Sequence, residues 1–201
     1  MKVGFIVECG PQGAETAVIP HLARMILPAV VTDVVPLDVK TKLKQECGRW
    51  AAELLGRGCA KVLITWDLLP AWGEYEGVGC RHDDKEEIYR SLQNVGIRRT
   101  DRRVRLVCIE KMLEAWLRAD ERALRLVLSK DPRFANVPRL RNTESIRDPK
   151  AALKTLFGDR GIRFRDYVDY QHAILIARRL PDLQRLRACS TFRRFEAKLL
   201  G

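Results

Sequence analysis

Long apolar runs are missing from this sequence. No stretch of its 201 residues approaches the roughly 18 consecutive apolar residues that a membrane-spanning helix needs. The opening residues, MKVGFIVECG, have one lysine and a short β-type apolar run, without the longer hydrophobic segment or the small-residue cleavage site of a signal peptide. We therefore expect a soluble, cytoplasmic protein of one compact domain, with no membrane partner.

Metal-binding cysteine and histidine patterns are also missing. No two cysteines form a CxxC pair, their spacings match no zinc pattern, and the three histidines are scattered. Buried free thiols in a reducing compartment are the simpler interpretation. The cysteines are Cys9, Cys47, Cys59, Cys80, Cys108 and Cys189.

The nucleotide-binding glycine motifs are absent as well. The sequence contains no GxGxxG after a strand, and the glycine-containing turn in VECGPQGAET lacks the lysine of a P-loop. Glu15 precedes Thr16 at that place, and its carboxylate would repel a phosphate. Two interpretations remain for this segment: Glu8 and Glu15 hold Mg²⁺, which prefers oxygen ligands, or they are exposed residues at a strand end and in a first helical turn.

Net charge is confined to one half of the chain. Residues 1–100 contain equal numbers of basic and acidic residues, so residues 101–201 carry the whole net charge of +11, and most of their basic residues are arginines. The guanidinium fork suits phosphate recognition, and a one-sided basic surface is typical of nucleic-acid-binding proteins. DNA or RNA is the expected partner, and the alternatives are an acidic protein or a merely solvated basic face.

Strand and helix patterns alternate over the first half. Four apolar segments predict strands: KVGFIVE, AVVTDVVPL, AKVLITWD and VRLVCIE. Helices are predicted between them over about 14–25, 43–55 and 85–92. This order predicts an α/β fold with a mostly parallel four-stranded sheet over residues 1–110 and helices on both faces. Residues 111–201 are predicted to be a basic helical extension packed on that core, beginning with one helix through KMLEAWLRADERALRLVL.

Acidic residues end three of the four predicted strands. Glu8, Asp67 and Glu110 should meet at one edge of the sheet, because the carboxyl ends of parallel strands lie together there. A helix beginning at Glu110 would add Glu114 on the same face. Convergent carboxylates suit a metal ion that activates water and binds a phosphodiester. Taken one at a time, each of these residues could equally lie on a solvated surface, and so could Glu74 and Glu76 in the loop after Asp67.

Several segments resemble a known family. The opening VExG, the strand that ends in Asp67, the segment IEKMLEAWLRAD and the later NTESIRDPKAAL are similar to a bacterial Toprim-like family that is classed only as a domain of unknown function. That family is related to the nuclease part of the OLD (overcoming lysogenization defect) proteins. The resemblance extends over most of the chain and is most specific at EAWLRAD.

The resemblance implies a Toprim-like fold and a Mg²⁺- or Mn²⁺-dependent site. Carried over by position, Glu8, Asp67 and Glu114 are the catalytic and metal-binding residues, and Glu15 and Glu110 are further candidate ligands. The chain departs from the Toprim pattern in two ways: Glu15 stands seven residues after Glu8 rather than four, and Leu69 replaces the second aspartate of Asp-x-Asp. OLD-type nucleases act with an ATPase, often in anti-phage defence, so a separate ATPase is an implied partner.

Three function classes follow from these patterns. The leading hypothesis is a Mg²⁺-dependent nuclease, or a degenerate relative, in a defence or mobile-element complex. The second is a catalytically inactive subunit that binds nucleic acid or protein and uses the acidic edge only structurally, as Leu69 would favour. The third, a Rossmann-type small-molecule enzyme, has no GxGxxG fingerprint and leaves the basic half unexplained.

Overall fold

The fold is α/β with an all-parallel sheet. A computed structural model describes residues 1–69, 81–129, 136–158 and 166–201. Its four strands lie in the order β2-β1-β3-β4 and are all parallel. They are β1 (Lys2–Val7), β2 (Val31–Pro36), β3 (Lys61–Asp67) and β4 (Val104–Ile109). The predicted fold class, with its four mostly parallel strands, is therefore confirmed.

Three helices connect the strands. They are α1 (Ala14–Ile26), α2 (Lys40–Gly56) and α3 (Arg81–Asn94). Side chains alternate between the two faces of a strand, and β1 shows this directly: Phe5 packs in one hydrophobic cluster and Ile6 in the other. The Ile6 cluster includes Leu43 of α2 and Ile88 of α3, so these two helices cover one face. The other face is covered by α1 together with helices from the second half of the chain.

The second half of the described chain is helical. Its elements are α4 (Glu114–Arg118), α5 (Glu121–Leu128), α6 (Pro149–Gly158), α7 (Asp169–Arg178), a 3₁₀ turn (Leu186–Ala188) and α8 (Ser190–Leu200). An aromatic contact joins this part to the sheet: the ring centroid of Phe195 in α8 lies 6.2 Å from that of Phe5 in β1. Within the second half, the rings of Trp116 in α4 and Phe192 in α8 are 5.2 Å apart between centroids. The two halves therefore share one hydrophobic cluster.

The predicted single helix from Lys111 to Leu128 is wrong. The chain breaks between α4 and α5 at Asp120, whose backbone is extended and whose carboxylate accepts hydrogen bonds from the backbone N–H groups of Arg122 and Ala123. Asp120 is an N-cap, and its second oxygen binds the Arg122 guanidinium at 2.7 Å. The apolar residues keep a helical spacing on both sides of Asp120, so the sequence pattern did not indicate the break.

The predictions about the cysteines, the loop carboxylates and membrane-spanning helices can be compared with the described residues in part. Five cysteines, Cys9, Cys47, Cys59, Cys108 and Cys189, are buried and free. Cys80, Glu74 and Glu76 lie outside the described residues. Among the helices that the structure describes, none is both long enough and apolar enough to cross a membrane.

Candidate functional site: an acidic pocket at the sheet edge

Glu8 and Asp67 lie side by side at the carboxyl edge of the sheet. Their strands, β1 and β3, are adjacent and in register, with Val7 opposite Thr65. The backbone N–H of Asp67 donates a hydrogen bond to Oε2 of Glu8 at 3.2 Å. The parallel arrangement thus brings together two carboxylates that are 59 residues apart in sequence.

Asp67 has an unsatisfied buried oxygen. Its Oδ1 is excluded from solvent and has no hydrogen-bond partner among the described residues. Burial raises the pKa of Asp67 well above its ordinary value, and the negative charges of Glu15, Glu8 and Glu114 raise it further. A buried polar atom without a partner costs free energy, so this oxygen is a position where a proton or a cation would be stabilised.

Glu8 responds to charges from three other elements. Burial raises its pKa from 4.5 to about 8, Lys40 of α2 opposes the shift, and Glu15 of α1 and Asp84 of α3 add to it. Desolvation and like charges both favour the neutral acid. Near neutral pH, Glu8 is therefore mostly protonated in the metal-free protein.

Glu15 and Glu114 complete a group of four carboxylates. Burial raises the pKa of Glu114 to about 7, with Glu15 as the next cause, and burial raises the pKa of Glu15 as well. The Tyr167 hydroxyl donates a hydrogen bond to Oε1 of Glu114 at 3.3 Å, which orients this side chain. We call Glu8, Glu15, Asp67 and Glu114 the acidic pocket, since the charges of Glu8, Glu15 and Glu114 all raise the pKa of Asp67.

Glu110 stands apart from this group. It forms an ion pair with Arg81, at the start of α3. The helix does not start at Glu110, which was the condition for Glu114 to share its face, because Lys111 has a positive φ of 65° and the helix begins only at Glu114. The chain after β4 instead stays beside the chain after β3, with the Leu69 N–H bonded to the Lys111 carbonyl at 3.0 Å. Glu110 and Glu114 therefore do not share a helix face.

Two lysines beside the pocket were missed from the sequence. Lys40 is buried, and its ammonium donates to the carbonyl oxygens of Leu68 and Leu69 at 3.3 Å each, just beyond Asp67. The sequence did offer one indication of its role: Lys40 lies shortly after the carboxyl end of β2, two residues after Asp38, and so near the same edge of the sheet. This buried cation partly offsets the negative charge of the pocket at Glu8.

The second of these lysines, Lys150, lies on α6. It forms an ion pair with Asp169 at the start of α7. Although burial opposes its charge, Asp169 and Glu114 raise the pKa of Lys150. Its ammonium stays protonated within the field of Glu114 and Glu15. Nothing local in the sequence distinguishes this lysine from others, because the contact depends on how α6 packs against α4.

The residues of the segment EAWLRAD have different structural roles. Glu114 enters the acidic pocket, and Trp116 is fully buried with its indole N–H donating to the Thr191 hydroxyl at 2.8 Å. Arg118 is buried and donates to the Pro138 carbonyl at 3.2 Å. With Asp120 capping α5, the segment links the pocket, the core and the loop that follows α5.

Two acidic residues of the segment NTESIRDPKAAL cap helices. Glu144 accepts hydrogen bonds from the backbone N–H groups of Ser190 and Thr191, at 2.7 and 2.9 Å, and so caps α8. Asp148 caps α6 through the Ala151 N–H at 2.8 Å. That cap sets the start of the helix on which Lys150 lies.

The donor chemistry of the pocket suits a hard cation. Carboxylate oxygens are the ligands that Mg²⁺ and Mn²⁺ prefer, and Oδ1 of Asp67 is a free buried donor. Asp84 is not available as a further ligand, because its oxygens are engaged by the Trp66 indole at 3.0 Å and by Lys44 at 2.9 Å. Within the described residues, no three His, Cys, Asp or Glu side chains are already arranged as a metal-binding group.

The comparisons with known proteins identified no relative of this chain. No family model, no curated protein and no solved structure significantly matches the chain. The Toprim-like resemblance accordingly depends on the residues and segments named above.

Proposed function

We propose that this chain is a Mg²⁺-dependent, Toprim-like nuclease, or a degenerate relative, that acts on DNA or RNA. Its setting would be an anti-phage defence or mobile-element complex with a separate ATPase, since the sequence has no P-loop of its own. The observation that carries the proposal is the buried, unpartnered oxygen of Asp67 among three other carboxylates. So much buried negative charge is costly unless a proton or a cation neutralises it.

The side chains of the pocket have distinct roles in this proposal. Asp67 and Glu8 would hold the metal ion, and Glu114, oriented by Tyr167, would complete the site. Mg²⁺ or Mn²⁺ bound there would supply a water of lowered pKa and polarise the scissile phosphate. Glu15 adds negative charge that favours a divalent over a monovalent cation. Lys150, paired with Asp169, provides a fixed positive charge beside Glu114.

A second function from another class is favoured by a specific observation. Leu69 occupies the place of the second Toprim aspartate, and the described residues contain no ready-made group of three metal ligands. A catalytically inactive subunit would retain the fold and the basic surface for binding nucleic acid or protein. Its acidic pocket would then be a structural feature that remains largely protonated near neutral pH.

A nuclease assay separates the two. Wild type is incubated with Mg²⁺ or Mn²⁺ on single-stranded DNA, double-stranded DNA and tRNA, beside Glu8→Gln and Asp67→Asn. We expect cleavage by wild type and a loss of at least about a hundredfold in each variant, because removing a ligand from a metal centre loses the charge that polarises the phosphate. Glu46→Gln, on the partly exposed side of α2, is the control and should cleave like wild type.

Two outcomes overturn the nuclease. Equal cleavage by wild type, Glu8→Gln and Asp67→Asn would show that the activity does not use this pocket. Absence of cleavage in every arm, with nucleic acid still bound, would favour the inactive binding subunit.

A further inference from the structure

A basic cleft lies at the opposite end of α4 from Glu114. It has a volume of about 700 Å³ and lies between Ala119, the segment 139–141 and the 3₁₀ turn that ends at Ala188. Among the described residues, its charged lining consists of Arg139, Arg141 and Arg185, without a carboxylate. We call these three residues the arginine cleft.

Two of the three guanidinium groups are uncommitted. Arg139 and Arg141 are exposed, and across the four described ranges neither has a carboxylate within ion-pair distance. Arg185 is half-buried and lies 3.6 Å from Glu121, which holds it at the wall of the cleft. What distinguishes these arginines is that they line the same concave surface as Arg185, where several guanidinium groups together would stabilise a negatively charged ligand.

The backbone around these arginines is anchored on both sides. Before them, the carbonyl oxygens of Val137 and Pro138 accept hydrogen bonds from Arg125 at 3.0 Å and Arg118 at 3.2 Å. After them, Glu144 caps α8 through the Thr191 N–H at 2.9 Å. The segment therefore presents Arg139 and Arg141 from a held position, which lowers the entropy lost when a ligand binds.

The position of the cleft relates it to the acidic pocket. Glu114 and Ala119 mark the two ends of α4, and five residues at 1.5 Å each separate them by about 7.5 Å along the helix axis. The same short, buried helix therefore positions Glu114 for the acidic pocket and Ala119 for the wall of the cleft.

We infer that the arginine cleft binds the phosphodiester backbone of the nucleic acid on which the acidic pocket acts. This inference rests on the proposed function and assigns a definite surface to it. The guanidinium groups would bind phosphate oxygens in pairs, as the fork geometry favours, and Gln184 in the lining could contact sugar or phosphate. The cleft would then hold the strand in register while the acidic pocket, which itself repels phosphate, holds only the reacting group.

The test measures binding without cleavage. Fluorescently labelled duplex DNA, single-stranded DNA, tRNA and a mononucleotide are titrated in EDTA with wild type, with Arg139→Ala/Arg141→Ala and with the control Arg90→Ala/Arg98→Ala. The control removes the same two charges from exposed positions of the first half. We expect about tenfold weaker binding for the cleft variant, the order of one charge-assisted contact. Its slope of log K against log salt on duplex should fall in magnitude by about 1.8, since each phosphate contributes about 0.9.

The outcomes separate this inference from the proposed function. If the cleft variant binds like the control while wild type binds DNA with a steep salt dependence, the cleft assignment is wrong and the proposed function stands. If wild type binds neither DNA nor RNA, the proposed function and the inference both fail. A mononucleotide that binds as tightly as the DNA would mean that the cleft takes a free nucleotide, which also overturns the inference. Unchanged thermal unfolding of both variants confirms that they are folded.

Discussion

Each carboxylate in the acidic pocket has a protonation state that its neighbours control. Glu8 is the clearest case, because burial raises its pKa to about 8 against an ordinary 4.5, while Glu15 and Asp84 push it upward and Lys40 pushes it downward. Since its folded-state pKa lies above the unfolded value, the folded state binds the proton more tightly. The contribution of Glu8 to stability is complete below about pH 4.5 and is lost as the pH rises toward 8.

This gives a prediction for Glu8→Gln. In EDTA, the free energy of unfolding of wild type should fall between pH 5 and pH 8, by at most about 1.4 kcal/mol per pH unit for this one proton. Glutamine resembles the neutral acid and cannot ionise, so Glu8→Gln should have a shallower slope and be more stable than wild type at pH 8. Urea unfolding at several pH values measures both effects.

The control for that measurement is Glu46→Gln, on α2 and away from the pocket. Its slope should match that of wild type. A slope for Glu8→Gln that is as steep as that of wild type would mean that Glu8 titrates normally, and the electrostatic account of the pocket would then be wrong.

At the scale of elements, α2 and α3 pack so closely that one position admits only glycine. A Cβ on Gly48 would lie 2.0 Å from the Ser91 carbonyl oxygen, and the Gly48 N–H donates to the Ser91 hydroxyl at 3.0 Å. The obstructing atoms belong to the backbone and cannot rotate away. This contact places α3, and with it Asp84 and Arg81, against the sheet edge next to Glu8 and Glu110.

Gly48→Ala should therefore destabilise the fold by about 1–3 kcal/mol, as overpacked cores do. For a chain of this size, that loss lowers the melting temperature by roughly 2–4 °C per kcal/mol. Gly56→Ala, at the end of the same helix, is the matched control because nothing lies within 4 Å of its added Cβ. That variant should be unchanged or more stable by up to about 1 kcal/mol, since alanine favours helix. Equal melting temperatures for the two variants would contradict the packing account.

The elements also show what the sequence could and could not predict. Strand positions, their parallel pairing and the meeting of Glu8 with Asp67 follow from apolar runs and the βα alternation, which are local signals. The break at Asp120 and the late start of α4 were missed because the apolar helical period continues through both places. Asp120 interrupts the helix because it is the N-cap of α5, and the positive φ of Lys111 delays the start of α4, although the apolar spacing continues through both residues.

Lys150 illustrates a further limit. Its proximity to Glu114 depends on the packing of α6 and α7 against α4, which brings residues far apart in sequence to one place. No spacing rule connects them. Glu110 shows the converse: its position at a strand end is as predicted, yet a long-range ion pair with Arg81 engages it.

Across the whole molecule, positive and negative charge are separated. The net charge of +11 lies in residues 101–201, whereas the four carboxylates of the acidic pocket lie near the edge of the sheet. Under the proposed function, nucleic acid would meet an attractive basic surface and a pocket that repels phosphate when its carboxylates are ionised. Monovalent salt weakens the attraction by screening it, and a divalent cation in the pocket would remove the repulsion. The two kinds of ion should thus act in opposite directions on binding.

Asp67→Asn tests this opposition. In EDTA, the variant should bind DNA as tightly as wild type, because burial and the neighbouring carboxylates already favour the protonated acid that asparagine resembles. At a pH high enough to ionise Asp67, the variant should bind a few fold more tightly, because it lacks a negative charge that repels phosphate. On addition of a non-cleaving divalent cation, Ca²⁺, at constant ionic strength, wild-type affinity should rise severalfold, whereas Asp67→Asn should change little because the pocket has lost a ligand. Fluorescence anisotropy with the same duplex measures binding under each of these conditions. Weaker binding by Asp67→Asn in EDTA would contradict a repulsive pocket, and an equal response of both proteins to Ca²⁺ would mean that the cation acts somewhere other than Asp67.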